Sequence, residues 1–340
     1  MDAQAIPLKT TARRFVRTVR IFAQSENGWK AKLIFTALVL LLLAANALNV
    51  ANSYVSRNFM TAIADRDMSG FIQQAFIYVG VFAGLTFVAV ISRFGEERLG
   101  LLWRDTMTRG IVRQYLAEGN YQSLKTSGAV ANPDQRISED VRAFTVTTLS
   151  FVLMALNSVF TILAFSEVLW TISTALFGVA VAYAAGGSFF TFMLGRPLIK
   201  LNYDQLDKEA SFRSELIHVR DNSEAIMQAH DEESQTARLL SRLDDVVANF
   251  RRITSINRNV GFFTTGYNWL IQIIPALIIA PAFIEGKIEF GVITQSAIAF
   301  TTLVAAFSLI VTQFQSLSSF AAVVARLSAL AEAIGQPIDP

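Results

Sequence analysis

The sequence predicts an all-α membrane protein, with six transmembrane helices and two long cytoplasmic helical hairpins. Three observations carry this. The chain has 340 residues, 53% of them hydrophobic and only 16% charged, where a soluble domain carries about 25% charge. Six stretches, near 33–55, 71–92, 146–166, 174–195, 260–284 and 290–312, approach or exceed the roughly 20 apolar residues a helix needs to cross a bilayer. Of the 29 lysines and arginines, 26 lie in the N-terminal segment, the two long loops 93–145 and 196–258, and the tail. The positive-inside rule then places both termini and both long loops in the cytoplasm.

Residues 1–30 form a basic cytoplasmic segment. Within it 8–23 reads as an interfacial helix, Phe15, Val19 and Phe22 on one face and Arg13, Arg14, Arg17 and Arg20 on the other. This basic region is too long for a cleaved signal peptide, so retention is expected. Residues 31–335 carry the six spans. Cysteine is absent, which excludes disulfides and thiolate metal sites. A nucleic-acid partner is not expected.

The second span runs on without breakers. Leu99, Leu102, Trp103, Met107, Ile111 and Tyr115 keep a helical period through the first long loop. Breakers then cluster at Gly119, Asn120, Gly128, Asn132 and Pro133. The stretch "NPDQRISEDV" (132–141) opens the return helix. Asn132 suits the N-cap and Pro133 the first helical position. Asp134 suits the positive first turn, and Gln135 stands where a capping box places it. Ile137, Val141 and Phe144 follow at helical spacing, while Arg136 and Asp140 form an i,i+4 pair. Such a hairpin carries its tip roughly 35 Å beyond the membrane.

The second long loop repeats the design, with a change of direction at 221–223 or 230–231. A charge run of this kind is usually a solvated helical face. Here Leu216, Val219, Ile226, Leu239, Leu243, Val246 and Phe250 ask for a partner as well. His218 and His230 read as surface or packing residues.

Six spans, an interfacial helix and two helical hairpins resemble the transmembrane half of an ABC transporter of the exporter-type fold. "NPDQRISEDV" resembles the signature of the branch that holds the peroxisomal fatty-acyl transporters and the bacterial SbmA/BacA-like permeases. "FRSELIHVRDNSEAIMQAHDEE" is similar to that branch's second cytoplasmic motif, on Arg220, Asn222, Glu224, Ala225, Ile226, Asp231 and Glu232. It departs at Gln228, Ala229 and His230, where the family usually has an aromatic and a glycine before the acid. The resemblance implies a homodimer whose two motifs, Asn132, Pro133, Asp134, Gln135, Arg136 and Asp140 with Arg220, Asn222, Glu224, Ile226 and Glu232, couple it to a cytoplasmic ATPase.

No phosphate loop of the form G-x-x-x-x-G-K-[ST] is present; Gly286–Lys287 is followed by Ile288. The chain is therefore read as a permease and not an enzyme, without a nucleotide-binding domain or cofactor of its own. ATP and Mg²⁺ would act only through such a partner or domain. The alternative is proton-driven peptide uptake of the SbmA/BacA kind. For that, Glu167, Glu285 and Glu289 are the candidate proton carriers, with solvated interfacial carboxylates as the plainer reading. No ring-forming acidic or carbonyl motif supports an ion channel.

Polar residues inside the spans are candidates for lining a solute cavity: Asn46, Asn49 and Asn52; Asn157 beside Thr161; Asn268 and Gln272; Gln295, Thr302 and Gln313. Interhelical hydrogen bonding is the competing explanation. A cavity so lined would suit a hydrophilic or peptide solute. Pro275 and Pro281 mark a place where the fifth span can bend. No side-chain constellation reads as a catalytic or metal site.

Overall fold

The computed structural model describes residues 28–127, 130, 133–309 and 313–334, all helix and short connections. The interfacial helix expected at 8–23, the N-cap residue Asn132 and the C-terminus beyond 334 lie outside the described residues.

Helix α1 (Gly28–Ala64) turns through Arg66, in the left-handed region at φ 58°, into α2 (Met68–Leu116). Asp67 caps α2 by accepting from the Ser69 backbone N–H and hydroxyl. The Gly70 N–H first, and then these Ser69 bonds, hold its carboxyl below the usual aspartate value, because they favour the charged form. After α2 come one 3₁₀ turn (Ala117–Gly119) and α3 (Asn120–Ser127). Helix α4 runs from Pro133 to Ile172 with a π turn at Arg136–Asp140. Pro133 thus opens the helix, as its fixed φ and missing N–H favour. Helix α5 is Thr174–Asp221, α6 Ser223–Ala229 and α7 Glu232–Ile284. Both sites expected for the change of direction break the helix. Helix α7 stays continuous through Pro275 and Pro281. Helices α8 (Gly291–Phe307) and α9 (Phe314–Ala333) are the last elements among the described residues.

Among the described residues, five helices, α1, α2, α4, α5 and α7, are long and apolar enough to cross a membrane. The sixth stretch expected to span, 290–312, overlaps the shorter apolar helix α8, whose 17 residues reach roughly 25 Å at 1.5 Å each. That is slightly short of the roughly 30 Å hydrocarbon core.

The chain divides into two compact units. One holds the described residues up to Ala180 and from Pro275 onward; the other is Val181–Ile274. In the first, α1 packs along α2, and α4 and α8 pack against α1 and each other. Where α8 begins, Gly291 lies against the Arg57 backbone carbonyl of α1, and its N–H donates to Thr61 Oγ1 at 3.1 Å. A side chain at 291 would occupy the space of that carbonyl. At the base of the unit, Trp103, Met107 and Ile111 of α2 meet Leu124, Val141, Phe144 and the α9 residues Val324, Leu327 and Leu330 in one apolar core. Phe144 packs edge-on to Trp103 and face-on to Phe320, at centroid distances of 5.7 and 5.8 Å. Aromatic rings of this size carry much of a core's burial energy. The start of α4 is therefore fixed against both α2 and α9.

In the second unit, α5 and α7 are joined by polar pairs. Asn249 Nδ2 donates to the Leu201 carbonyl and to Gln205 Oε1, both at 2.9 Å, and Arg238 pairs with Glu215 at 2.7 Å.

Candidate functional site

The first motif folds onto the last helix. Asp140 is buried, its side chain 7% exposed, and accepts Arg326 Nη2 on Oδ1 at 2.6 Å and Nε on Oδ2 at 2.7 Å. Two parallel charge-assisted bonds make this a bidentate fork. Asp140's hydrogen bonds raise the Arg326 guanidinium still further above its usual value. One turn earlier, Arg136 Nη1 donates to the Arg326 backbone carbonyl at 2.9 Å. The sequence suggested that Arg136 and Asp140 serve each other along one helix. Instead both reach the same residue of α9, from a π turn of a kind often found at functional sites.

The rest of the motif faces outward. Asp134 and Gln135 are exposed; Gln135 Nε2 donates to Glu139 at 3.1 Å, and the Asp134 carbonyl accepts from Ser138. Ile137 packs at the edge of the core, while Val141 and Phe144 are inside it, as their spacing indicates.

The second motif makes the α5–α6–α7 corner. Asn222 Nδ2 donates to the His218 carbonyl at 2.8 Å and sits 2.9 Å from His218 Nδ1. Arg220 pairs with its neighbour Asp221 at 3.0 Å, both exposed, and such a pair adds little stability. Glu224 and Glu232 are exposed and Ile226 is half-buried. His230 closes α6 with φ 50° in the left-handed region, where glycine is freest. This is one of the positions at which the sequence departs from the family pattern. Asp231 follows and accepts from Gln235 Nε2 at 2.7 Å.

Asn46 is buried and donates to Asn157 Oδ1 at 2.9 Å, while its own oxygen accepts from Thr161 at 2.8 Å. Asn46 and Asn157 thus join α1 to α4, the interhelical hydrogen bonding that competes with a cavity-lining role. Gln295 is 1% exposed on α8, with neither end of its amide hydrogen-bonded among the described residues. Asn52 and Gln313 are half-buried, and Asn49, Asn268 and Gln272 are exposed. Glu167, Glu285 and Glu289 are all exposed; Glu285 pairs with Lys287 at 2.5 Å and Glu289 with Arg57 at 3.0 Å.

Sequence reasoning missed Arg326, Gln205 and Asn249. Arg326 is the sole basic residue after the sixth apolar stretch, in a run of alanine, valine and leucine, a signal that could have marked it.

A family model for the ABC transporter transmembrane region 2 matches residues 19–284. The chain belongs to this family. ABC transporter D family member 2, chloroplastic, of Arabidopsis thaliana is 38% identical over 324 residues, 95% of this chain and 46% of that one. An uncharacterized ABC transporter ATP-binding protein of Synechocystis is 35% identical, over 92% of this chain and 48% of that one. The human lysosomal cobalamin transporter ABCD4 is 26% identical over 68% of this chain and 39% of its own. The chain spans about half the length of the curated relatives it matches. These likenesses agree with the D-family branch expected from "NPDQRISEDV" and lend no support to the SbmA/BacA-like alternative. The chain is an ABC transporter membrane region, and so a multi-pass membrane protein.

Proposed function

We propose that this chain is the permease half of an ABC transporter that moves a solute across a bacterial inner membrane and works as a homodimer. In this reading α8 supplies the sixth span, and the ends of α2, α4, α5 and α7 form two cytoplasmic hairpins. Asp134, Gln135, Arg220, Glu224 and Glu232 are exposed at the hairpin ends and meet a nucleotide-binding partner or domain, which supplies ATP and Mg²⁺. The observation that carries the proposal is the Asp140–Arg326 fork. It ties the first motif to the chain's last described helix, so the hairpin and that helix move as one body. Exposure of Glu167, Glu285 and Glu289 disfavours proton-driven uptake.

Reconstitution in liposomes tests this. The chain alone should hydrolyse no ATP, because it has no phosphate loop. Transport should appear when a cognate ATPase and ATP are added, and Glu224→Ala with Glu232→Ala should uncouple it without loss of expression. Uptake driven by a pH gradient with no ATPase present would overturn the reading.

A further inference from the structure

The first unit contains a pocket that neither motif uses. It is about 350 Å³, lies between α2 and α4, and presents Arg93, Arg104 and Arg142 against Glu96 and Glu97. Arg93 already pairs with Glu97 at 3.1 Å. Arg104 and Arg142 have no ion-pair partner among the described residues, leaving two cations against Glu96. Leu101, Val146 and Leu149 complete the wall, with Leu101 60% and Val146 52% exposed. Gly100 also lines it, and the missing side chain keeps the space above Leu149 open.

The position in the chain matters as much as the charge. The apolar run of α2 ends at Arg93, so the pocket begins where the helix leaves the hydrocarbon. Just above it on α2, Phe87 and Val90 are each 60% exposed or more. We infer that this pocket binds the headgroup of an anionic phospholipid of the cytoplasmic leaflet. Arg104 and Arg142 take the phosphate, the exposed leucine and valine take the glycerol and first methylenes, and the tails run up α2. Basic pockets between helices on the cytoplasmic side suit such headgroups. A soluble phosphate would gain nothing from the apolar wall. The leaflet rests on the topology proposed above; the binding itself does not.

Native mass spectrometry of the full chain with added phosphatidylglycerol or phosphatidylcholine reads this without any transport assay. Phosphatidylglycerol should be retained at one per chain and phosphatidylcholine should not. Arg104→Gln with Arg142→Gln should weaken retention about 30-fold, from about 1 kcal/mol per basic side chain. Arg104→Lys with Arg142→Lys should recover most of it. Unchanged thermal unfolding of the glutamine variant in neutral lipid would show that the fold survives. Equal retention by the glutamine variant, or displacement of the lipid by millimolar inorganic phosphate, would overturn the assignment.

Discussion

Tyr183 and Tyr267 hold one another through each other's backbone. Tyr183 donates its hydroxyl to the Tyr267 carbonyl at 2.6 Å, Tyr267 returns a bond to the Tyr183 carbonyl at 3.2 Å, and the rings stack at 4.2 Å. Gly187, one turn along α5, leaves room for the second ring; any added Cβ would strike its edge. Gly187→Ala should therefore cost about 1–3 kcal/mol by overpacking, read as a lower midpoint of unfolding in detergent. Tyr183→Phe, which keeps the stack and loses one bond, should cost about 0.6 kcal/mol.

The Asp140–Arg326 fork should behave as one unit. Asp140→Ala and Arg326→Ala should each destabilise the first unit, and the double variant should cost less than their sum. A coupling energy of about 1–3 kcal/mol is expected from a double-mutant cycle on thermal or denaturant unfolding. Strict additivity would mean that the contact contributes nothing beyond its separate parts.

Replacing Asn46 separates a role in joining α1 to α4 from a role in lining a cavity. Asn46→Leu removes two bonds to α4 and should lower stability by about 1 kcal/mol. Once transport is reconstituted, the apparent affinity for solute should be unchanged. A shift in affinity without a shift in stability would return Asn46 to the cavity wall.

His230→Gly should stabilise the α5–α7 corner by about 1 kcal/mol, since an L side chain pays roughly that for a left-handed backbone. The amides at positions 230 and 231, which donate to the Met227 and Ile226 carbonyls, should exchange more slowly in the variant.

Much of this was legible in the residues. Five of the six apolar runs fall on helices long and apolar enough to cross a membrane, and the helical period of Leu99 to Tyr115 foretold that α2 continues past the apolar run. Pro133 marked the start of α4, and the spacing of Val141 and Phe144 gave its inward face. What stayed hidden depends on contacts distant in sequence. The partner of Asp140 lies 186 residues away, and that of Asn46 lies 111 away. An i,i+4 spacing also assumes an α-helical turn, which the π segment at 136–140 breaks. Gln295 shows a different limit: periodicity could not say whether a lone amide in an apolar helix faces solute or neighbouring helices.

The π turn gives the fork a consequence for helical phase. Val141 donates its N–H to the carbonyl of Arg136, five residues back, so this turn holds one residue more than an α turn. Were it to tighten into regular α-helix, everything upstream would rotate by about 100° relative to the span. Arg136, Gln135 and Asp134 would swing away from their present directions together. Asp140 and Arg136, both bound to Arg326, are placed to resist that rotation. The pair at the base of α4 thus sets not only how close two helices lie, but which way the motif points.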